Sequence, residues 1–266
     1  MLVFAVSADL KANAIDRCRG FLGDLKQVSL LPGGGESMGL KRRPPDGNVR
    51  NVAAIDNNSR YAITNKNGET VQCESHTERK LALRIDRDPR VKNYRSQPLR
   101  ISYGDSEDSQ HTYVPDFQVW RCDGLVEIHE VTLSERRLLP NAQRREKAAR
   151  DYCDKEGWRY VVHTEGSLPN DTEGANLLAL YAYRPSIYAR ADVAQAVIEK
   201  FGIGQHILLR QLISAISQDL DLPYATVSTA IYHLMWYGKI ATDLCSLIFV
   251  DSAPTSNTYV WLPEGC

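Results

Sequence analysis

The chain has 266 residues, 43% hydrophobic and 24% charged, with 32 basic against 33 acidic side chains and a formal net charge of −1. This is an ordinary soluble globular composition, enough for one large domain or two smaller ones. It excludes a membrane span, because no apolar run approaches the ~20 residues required, and it excludes a uniformly basic nucleic-acid binder. Any basic footprint must be local: residues 1–72 carry a net +3, residues 73–189 a net −1 and residues 190–266 a net −3. The six cysteines form no C-x-x-C pair and no Cys/His cluster with zinc spacing, the pattern of reduced thiols in a cytoplasmic protein. Met1–Leu10 is apolar but lacks a basic n-region, so no signal peptide is expected.

Residues 1–70 read as a partly irregular N-terminal extension, with Gly33–Gly35 and Pro44–Pro45 as breakers and one short strand near Tyr61–Ile63. Lys41, Arg42 and Arg43 could meet phosphate, but the preferred reading is a solvated surface run. From residue 71 to 165 the signals describe an α/β core. Ser75–Glu78 fits a capping box, S-x-x-E, opening a helix that runs to Arg87 and stops before Pro89. Strands are expected over 98–103, 112–120 and 125–132, with Pro115 at an edge or a break and Asp123-Gly124 as a hairpin turn. A basic helix from Pro140 to Glu156 is closed by Gly157, and a fourth strand follows over 158–164.

Residues 166–190 read as a connection. Residues 191–266 read as a small winged-helix domain: helices over 192–202, 207–220 and 223–238, then two strands over 240–250 and 258–262. The third helix has no Arg or Lys before Lys239. Its aromatics Tyr224, Trp236 and Tyr237 suit a protein interface, or the core of a small domain, better than a phosphate backbone.

The residues that could carry chemistry lie in the core. Glu130 and Thr132 share a strand face, and Asp116 lies on the partner strand of the hairpin. Two carboxylates on adjacent strands can chelate a hard divalent cation, which activates water and stabilises charge on a phosphodiester. Glu78 lies on the apolar face of its helix with Glu74, Leu81 and Ile85 and could complete the set. Each has a plainer reading: Glu78 as the third helical residue of its capping box, Asp116 as a turn residue, Glu130 as half of a surface pair. His129 alternates to the opposite face and reads as a packing or hydrogen-bonding residue.

In order along the chain stand Glu74-Ser75-His76-Thr77-Glu78, Val91 with Gln97-Pro98, Tyr113-Val114-Pro115-Asp116-Phe117, Glu130-Val131-Thr132, Gly157-Trp158 and Val161–Glu165. This series resembles the PD-(D/E)XK nucleases and, more closely, the TnsA endonuclease subunits of heteromeric transposases. The resemblance implies a restriction-endonuclease-like mixed sheet flanked by helices, and a metal-dependent cut at the 5′ ends of a transposable element. It implies Mg²⁺ or Mn²⁺ held by Glu78, Asp116 and Glu130, and duplex DNA at the element's ends as substrate. The implied partners are a TnsB-like transposase and a TnsC-like ATPase regulator, the latter docked by residues 191–266. The family's lysine falls at Thr132, which carries no charge. Either a basic residue of the following helix replaces it, with Lys147 the preferred candidate among Arg144, Arg145, Lys147 and Arg150, or the subunit is a weakly active or inactive structural member of the assembly. A standalone restriction- or repair-type nuclease is the third reading, disfavoured by the acidic C-terminal part.

Overall fold

The computed structural model describes residues 61–104, 110–202 and 204–263. The basic run at 41–43 and the cysteines at 18 and 266 lie outside them. The elements are β1 (Tyr61–Thr64), β2 (Thr70–Cys73), α1 (His76–Arg87), β3 (Val91–Ser96), β4 (Ile101–Tyr103), β5 (His111–Tyr113), β6 (Phe117–Arg121) and β7 (Val126–Val131). There follow α2 (Ser134–Arg137), α3 (Pro140–Glu156), β8 (Arg159–His163), α4 (Asp171–Tyr181) and a 3₁₀ turn at Ser186–Tyr188. The remainder is α5 (Ala191–Lys200), β9 (Ile207–Leu208), α6 (Leu209–Asp219), α7 (Tyr224–Trp236), β10 (Ala241–Thr242), β11 (Phe249–Val250), β12 (Ala253–Pro254) and β13 (Tyr259–Trp261). The chain divides into two compact units, one ending at Gly174 and one beginning at Ala175.

The first unit is mixed α/β around a four-stranded sheet of order β3-β6-β7-β8. The β3–β6 and β6–β7 pairs are antiparallel, and β7–β8 is parallel. This mixed central sheet with flanking helices is consistent with a restriction-endonuclease-like fold. The parallel pair needs a crossover, and α3 supplies most of it. Its sequence explains its limits: Pro140 occupies the first turn, where its missing N–H is not needed, and Gly157 ends the helix at φ 70°, a left-handed conformation that suits glycine. Tyr94, Phe117, Val119 and Ile128 are fully buried on the sheet. Helix α1 contributes Leu81, Ala82, Leu83 and Ile85 to the core.

The single strand expected over 112–120 is two. β5 pairs with β4 in a separate two-stranded ribbon, while β6 belongs to the central sheet. The break falls at Val114–Asp116, where Pro115 cannot donate a ladder hydrogen bond. β2 and β3 were not expected, nor was β1's full hairpin with β2. β2 has only four residues, and β3 lacks a clean two-residue alternation. The stretch 166–190 is not an unstructured connection, because it contains α4. The start of α4 is pinned to α1: Lys80 Nζ lies 2.7 Å from Asp171 Oδ1, and Arg84 donates to both oxygens of Glu173 at 3.0 and 2.8 Å.

The second unit packs α5, α6 and α7 beside a three-stranded antiparallel sheet of order β10-β13-β9, with β11–β12 as a separate hairpin. The expected helix over 207–220 begins two residues later, because Ile207 and Leu208 pair with β13. The expected strand over 240–250 is two dipeptide strands. Asn176 ties this unit's long loop together, donating to the Leu244 and Ser246 carbonyls and accepting from the Ile248 N–H. Trp236 is 1% exposed and packs edge-on against Tyr181, so it is a core residue; Tyr224 and Tyr237 remain exposed. Among the described residues no helix is long and apolar enough to cross a membrane.

Candidate active site

The β6–β7 register sets Phe117 opposite His129. Extended by one residue, that register places Asp116 across from Glu130. Asp116 Oδ2 accepts the N–H of Val131 at 2.6 Å, fixing the acid against β7. Glu78 reaches the same region from the first turn of α1. Its N–H donates to Ser75 Oγ at 3.1 Å, and its carboxylate accepts from the Glu74 N–H at 2.8 Å and the Ser75 hydroxyl at 2.9 Å. The helix cap and the candidate ligand are thus one side chain, with its oxygens engaged by the cap. A fourth carboxylate, Glu74, sits just outside the cap and accepts from Gln97 Nε2 at 2.8 Å. Gln97 stands at φ 46°, where it ends β3 and donates its own N–H to the Asp116 carbonyl at 2.8 Å.

The electrostatics join these acids. Burial pushes Asp116 well above the usual carboxylate range, and the charges of Glu130 and Glu78 push it further. Burial raises Glu130 to about 7; the charge of Glu78 adds to the rise, while the Tyr113 hydroxyl and the Arg145 guanidinium oppose it. Glu78 is raised as well, by burial first and by Glu74 next. The charges of Glu78 and Glu130 both act on Asp116, and that of Glu78 acts on Glu130. Tyr113 donates its hydroxyl to Glu130 and lies 3.2 Å from the Tyr160 hydroxyl.

Among the described residues no three His, Cys, Asp or Glu side chains are set as ligands of one ion. The carboxylates turn instead to protein donors. The donor set nevertheless has the chemistry of a hard-cation site: oxygens only, crowded, and each raising its neighbour's affinity for protons. A divalent cation fits that set, because it would relieve the repulsion the protein leaves standing.

Thr132 donates its N–H to the His163 carbonyl at 3.0 Å and lines a small pocket with Glu130, Arg137, Arg145, Glu146 and Tyr160. The basic residue of α3 beside Glu130 is Arg145, whose guanidinium lies 5.6 Å from the Tyr113 ring centre. This corrects the expectation for Lys147, which is exposed, pairs with Asp151 at 2.8 Å and lines a different cleft. The reason is helical geometry: two residues beyond Arg145 rotate the side chain by about 200°. Arg137 and Arg150 are both engaged with Glu146.

His129 lies on the opposite face, as its alternation requires. Its Nε2 is 3.2 Å from Glu127 Oε2, and its Nδ1 is 3.0 Å from His163 Nε2. Glu127 is held at about 2, first by His129 and then, against burial, by Arg159. The sequence reading set Glu74 beside Glu78 and held Arg145 among four cations of its helix; it missed Tyr113 and Tyr160 as neighbours of the acids.

No curated protein matches the chain. Residues 88–165 match the family described as TnsA-like endonuclease N terminal, and this segment holds Asp116, Glu130 and Thr132, while Glu74 and Glu78 precede it. The first unit therefore contains a segment similar to the TnsA-like endonuclease N-terminal domain.

Proposed function

We propose that the protein is a metal-dependent DNA endonuclease subunit of a TnsA-type transposition system, hydrolysing phosphodiesters at the 5′ ends of the element. The observation that carries this reading is the match of residues 88–165 to a TnsA-like endonuclease N-terminal domain, in which Asp116 is held against β7 beside Glu130. Nucleases of the PD-(D/E)XK kind generally use divalent metals, and Mg²⁺ or Mn²⁺ held by these three acids would supply an activated water and neutralise charge on the phosphate. Tyr113 donates its hydroxyl to Glu130 and orients that carboxylate. Arg145 takes the part that Thr132 cannot, presenting a fixed positive charge on the Glu130 side of the site.

The partners in this reading are duplex DNA at the element's ends, a TnsB-like transposase and a TnsC-like ATPase. The second unit, read as a winged helix, would dock the ATPase; its acidic balance and the exposed Tyr224 and Tyr237 suit a protein surface. The test is cleavage of element-end DNA by the full chain with its partner subunits, with and without Mg²⁺. Metal-dependent cutting that disappears in Asp116→Ala supports the reading, and cutting that persists in Asp116→Ala defeats it.

A second reading keeps the fold and drops the chemistry: a structural subunit of the same assembly. It is favoured by Thr132 and by the carboxylates' engagement with protein donors. Absence of cutting with every partner and either metal would select it.

A further inference from the structure

The row of the sheet that carries the acids extends to a third residue. Ser96 pairs with Phe117 and Phe117 with His129, so one step further the row reads Gln97, Asp116, Glu130. Gln97 stands there at a cost, in three respects. It is 6% exposed, yet its Oε1 has no hydrogen-bond partner among the described residues, and a buried unpaired oxygen is unfavourable. Its φ of 46° lies in the left-handed region, which suits glycine and, among other residues, mainly Asn and Asp. Pro98 follows it, and a proline drives the residue before it toward extended backbone.

What a glutamine adds here separates from what any residue would do. The N–H donated to the Asp116 carbonyl at 2.8 Å requires only a residue other than proline. Glycine would turn the chain at this φ without strain. The side-chain amide is what remains. Its Nε2 donates to Glu74 Oε1 at 2.8 Å, and Glu74 donates its N–H to Glu78 Oε2 at 2.8 Å. Gln97 therefore touches both arms of the acidic site, the Asp116 backbone on the sheet and Glu74 at the cap of α1. Oxygen and nitrogen of one planar amide are about 2.2 Å apart, so Oε1 lies within about 5 Å of the Glu74 carboxylate. Without a cation this clamp is unfavourable, because the charge of Glu74 adds to the repulsion on Glu78 and on Asp116. Backbone strain, an unpaired oxygen and a fourth like charge held at one point indicate a residue kept for a ligand and not for the fold.

We propose that Gln97 is a positioning residue of the acidic site, holding Glu74 beside Glu78 and Asp116 and offering its Oε1 to the water shell of a divalent cation bound there. This rests on the reading that the acids bind metal, and not on the cut itself. Hard cations accept neutral carbonyl oxygens, and Mg²⁺ keeps several of its waters, so an amide oxygen among carboxylates adds a donor without adding charge. Gln97 acts on the ion through Glu74 and through water, which sets its effect on metal affinity at about 10- to 100-fold.

The test is calorimetric titration of the full chain with Mn²⁺ at pH 8, beside thermal unfolding of the same preparations in EDTA. Gln97→Met keeps the backbone bond and the bulk and removes the amide; Gln97→Gly also removes the strain. Both should weaken Mn²⁺ binding by about 10-fold or more. Gln97→Gly should nevertheless unfold no earlier than wild type in EDTA, a separation of affinity from stability that a purely structural clamp would not give. Glu74→Gln should weaken binding as well, and the double variant Glu74→Gln, Gln97→Met should lose less than the product of the two single losses, because one acts through the other. Unchanged Mn²⁺ affinity in Gln97→Met overturns the proposal, as do independent losses in the double variant or early unfolding of both Gln97 variants in EDTA. Asp116→Ala and nicking are read separately. Mn²⁺ binding abolished by Asp116→Ala but untouched by Gln97→Met removes the role of Gln97 and spares the metal site. Weakened Mn²⁺ binding by Gln97→Met in a protein that never nicks keeps the role of Gln97 and removes the nuclease. Wild type that binds Mn²⁺ no better than Asp116→Ala removes both.

Discussion

Asp116 Oδ2 accepts the Val131 N–H at 2.6 Å, so the acid ahead of β6 is locked to the residue next to Glu130 on β7. This bond holds in place a carboxylate that its surroundings push toward protonation. Asp116→Asn keeps an oxygen for the Val131 N–H and removes the charge. The variant should unfold no more easily than wild type at pH 8, while nicking falls at least 100-fold, in line with the loss of a positioned electrostatic group. Denaturant unfolding and a nicking assay on the same preparation check both parts. Strong destabilisation would show that the carboxylate is a structural anchor.

The acids also set a pH dependence. Glu130 is raised in the folded state from 4.5 to about 7, so its contribution to stability is fully present below pH 4.5 and is lost as pH rises through 7. The difference amounts to ~3 kcal/mol. His163 acts oppositely: burial and His129 lower it to about 4, so its contribution is present above 6.5 and is lost as pH falls toward 4. The measurement is therefore a comparison. Metal-free Glu130→Gln should gain stability relative to wild type as pH rises from 5 to 8, and Mg²⁺ should erase that gain by stabilising only the wild type. Parallel stability curves for the two proteins would contradict the coupling.

Arg145 and Lys147 make opposite predictions. Arg145→Ala should cut nicking by ~100-fold, and Lys147→Ala should leave it within a factor of two or three, since that ammonium is exposed and paired with Asp151. Equal losses in both variants would move the cation's role from the site to the helix as a whole.

On the far face of the sheet, Glu127 is 2% exposed and is held by His129, Arg159 and Arg121. Glu127→Ala leaves cationic groups without their partner and should cost about 3–5 kcal/mol. Metal affinity, read by calorimetry at a temperature where the variant is folded, should change little, because Glu127 and Glu130 point to opposite faces.

The sequence was most legible where one residue decides the outcome. Pro140 and Gly157 bracket α3, and the capping box at Ser75–Glu78 starts α1 at His76. The three acids stood out in the sequence as candidates by type and order. What they touch was not, because Tyr113, Tyr160 and Arg145 meet Glu130 through tertiary packing that no local pattern encodes. Lys147 was chosen over Arg145 from residue type, and rotation about the helix decided against it. Helix α4 was hidden because Pro169, Asn170 and Asp171 are turn-favouring residue types, although Asp171 begins the helix and its salt bridge to Lys80 anchors it.

The interruption at Val114–Asp116 has a mechanical consequence. In an unbroken strand Tyr113 and Asp116, three residues apart, would project to opposite sides, and only one could attend to Glu130. The proline frees the two segments to turn independently, so the phenol reaches Glu130 while the carboxylate reaches the backbone N–H of its neighbour, Val131. One side chain of the ribbon and one at the head of the sheet strand thus serve adjacent residues of β7 from opposite sides of a single proline.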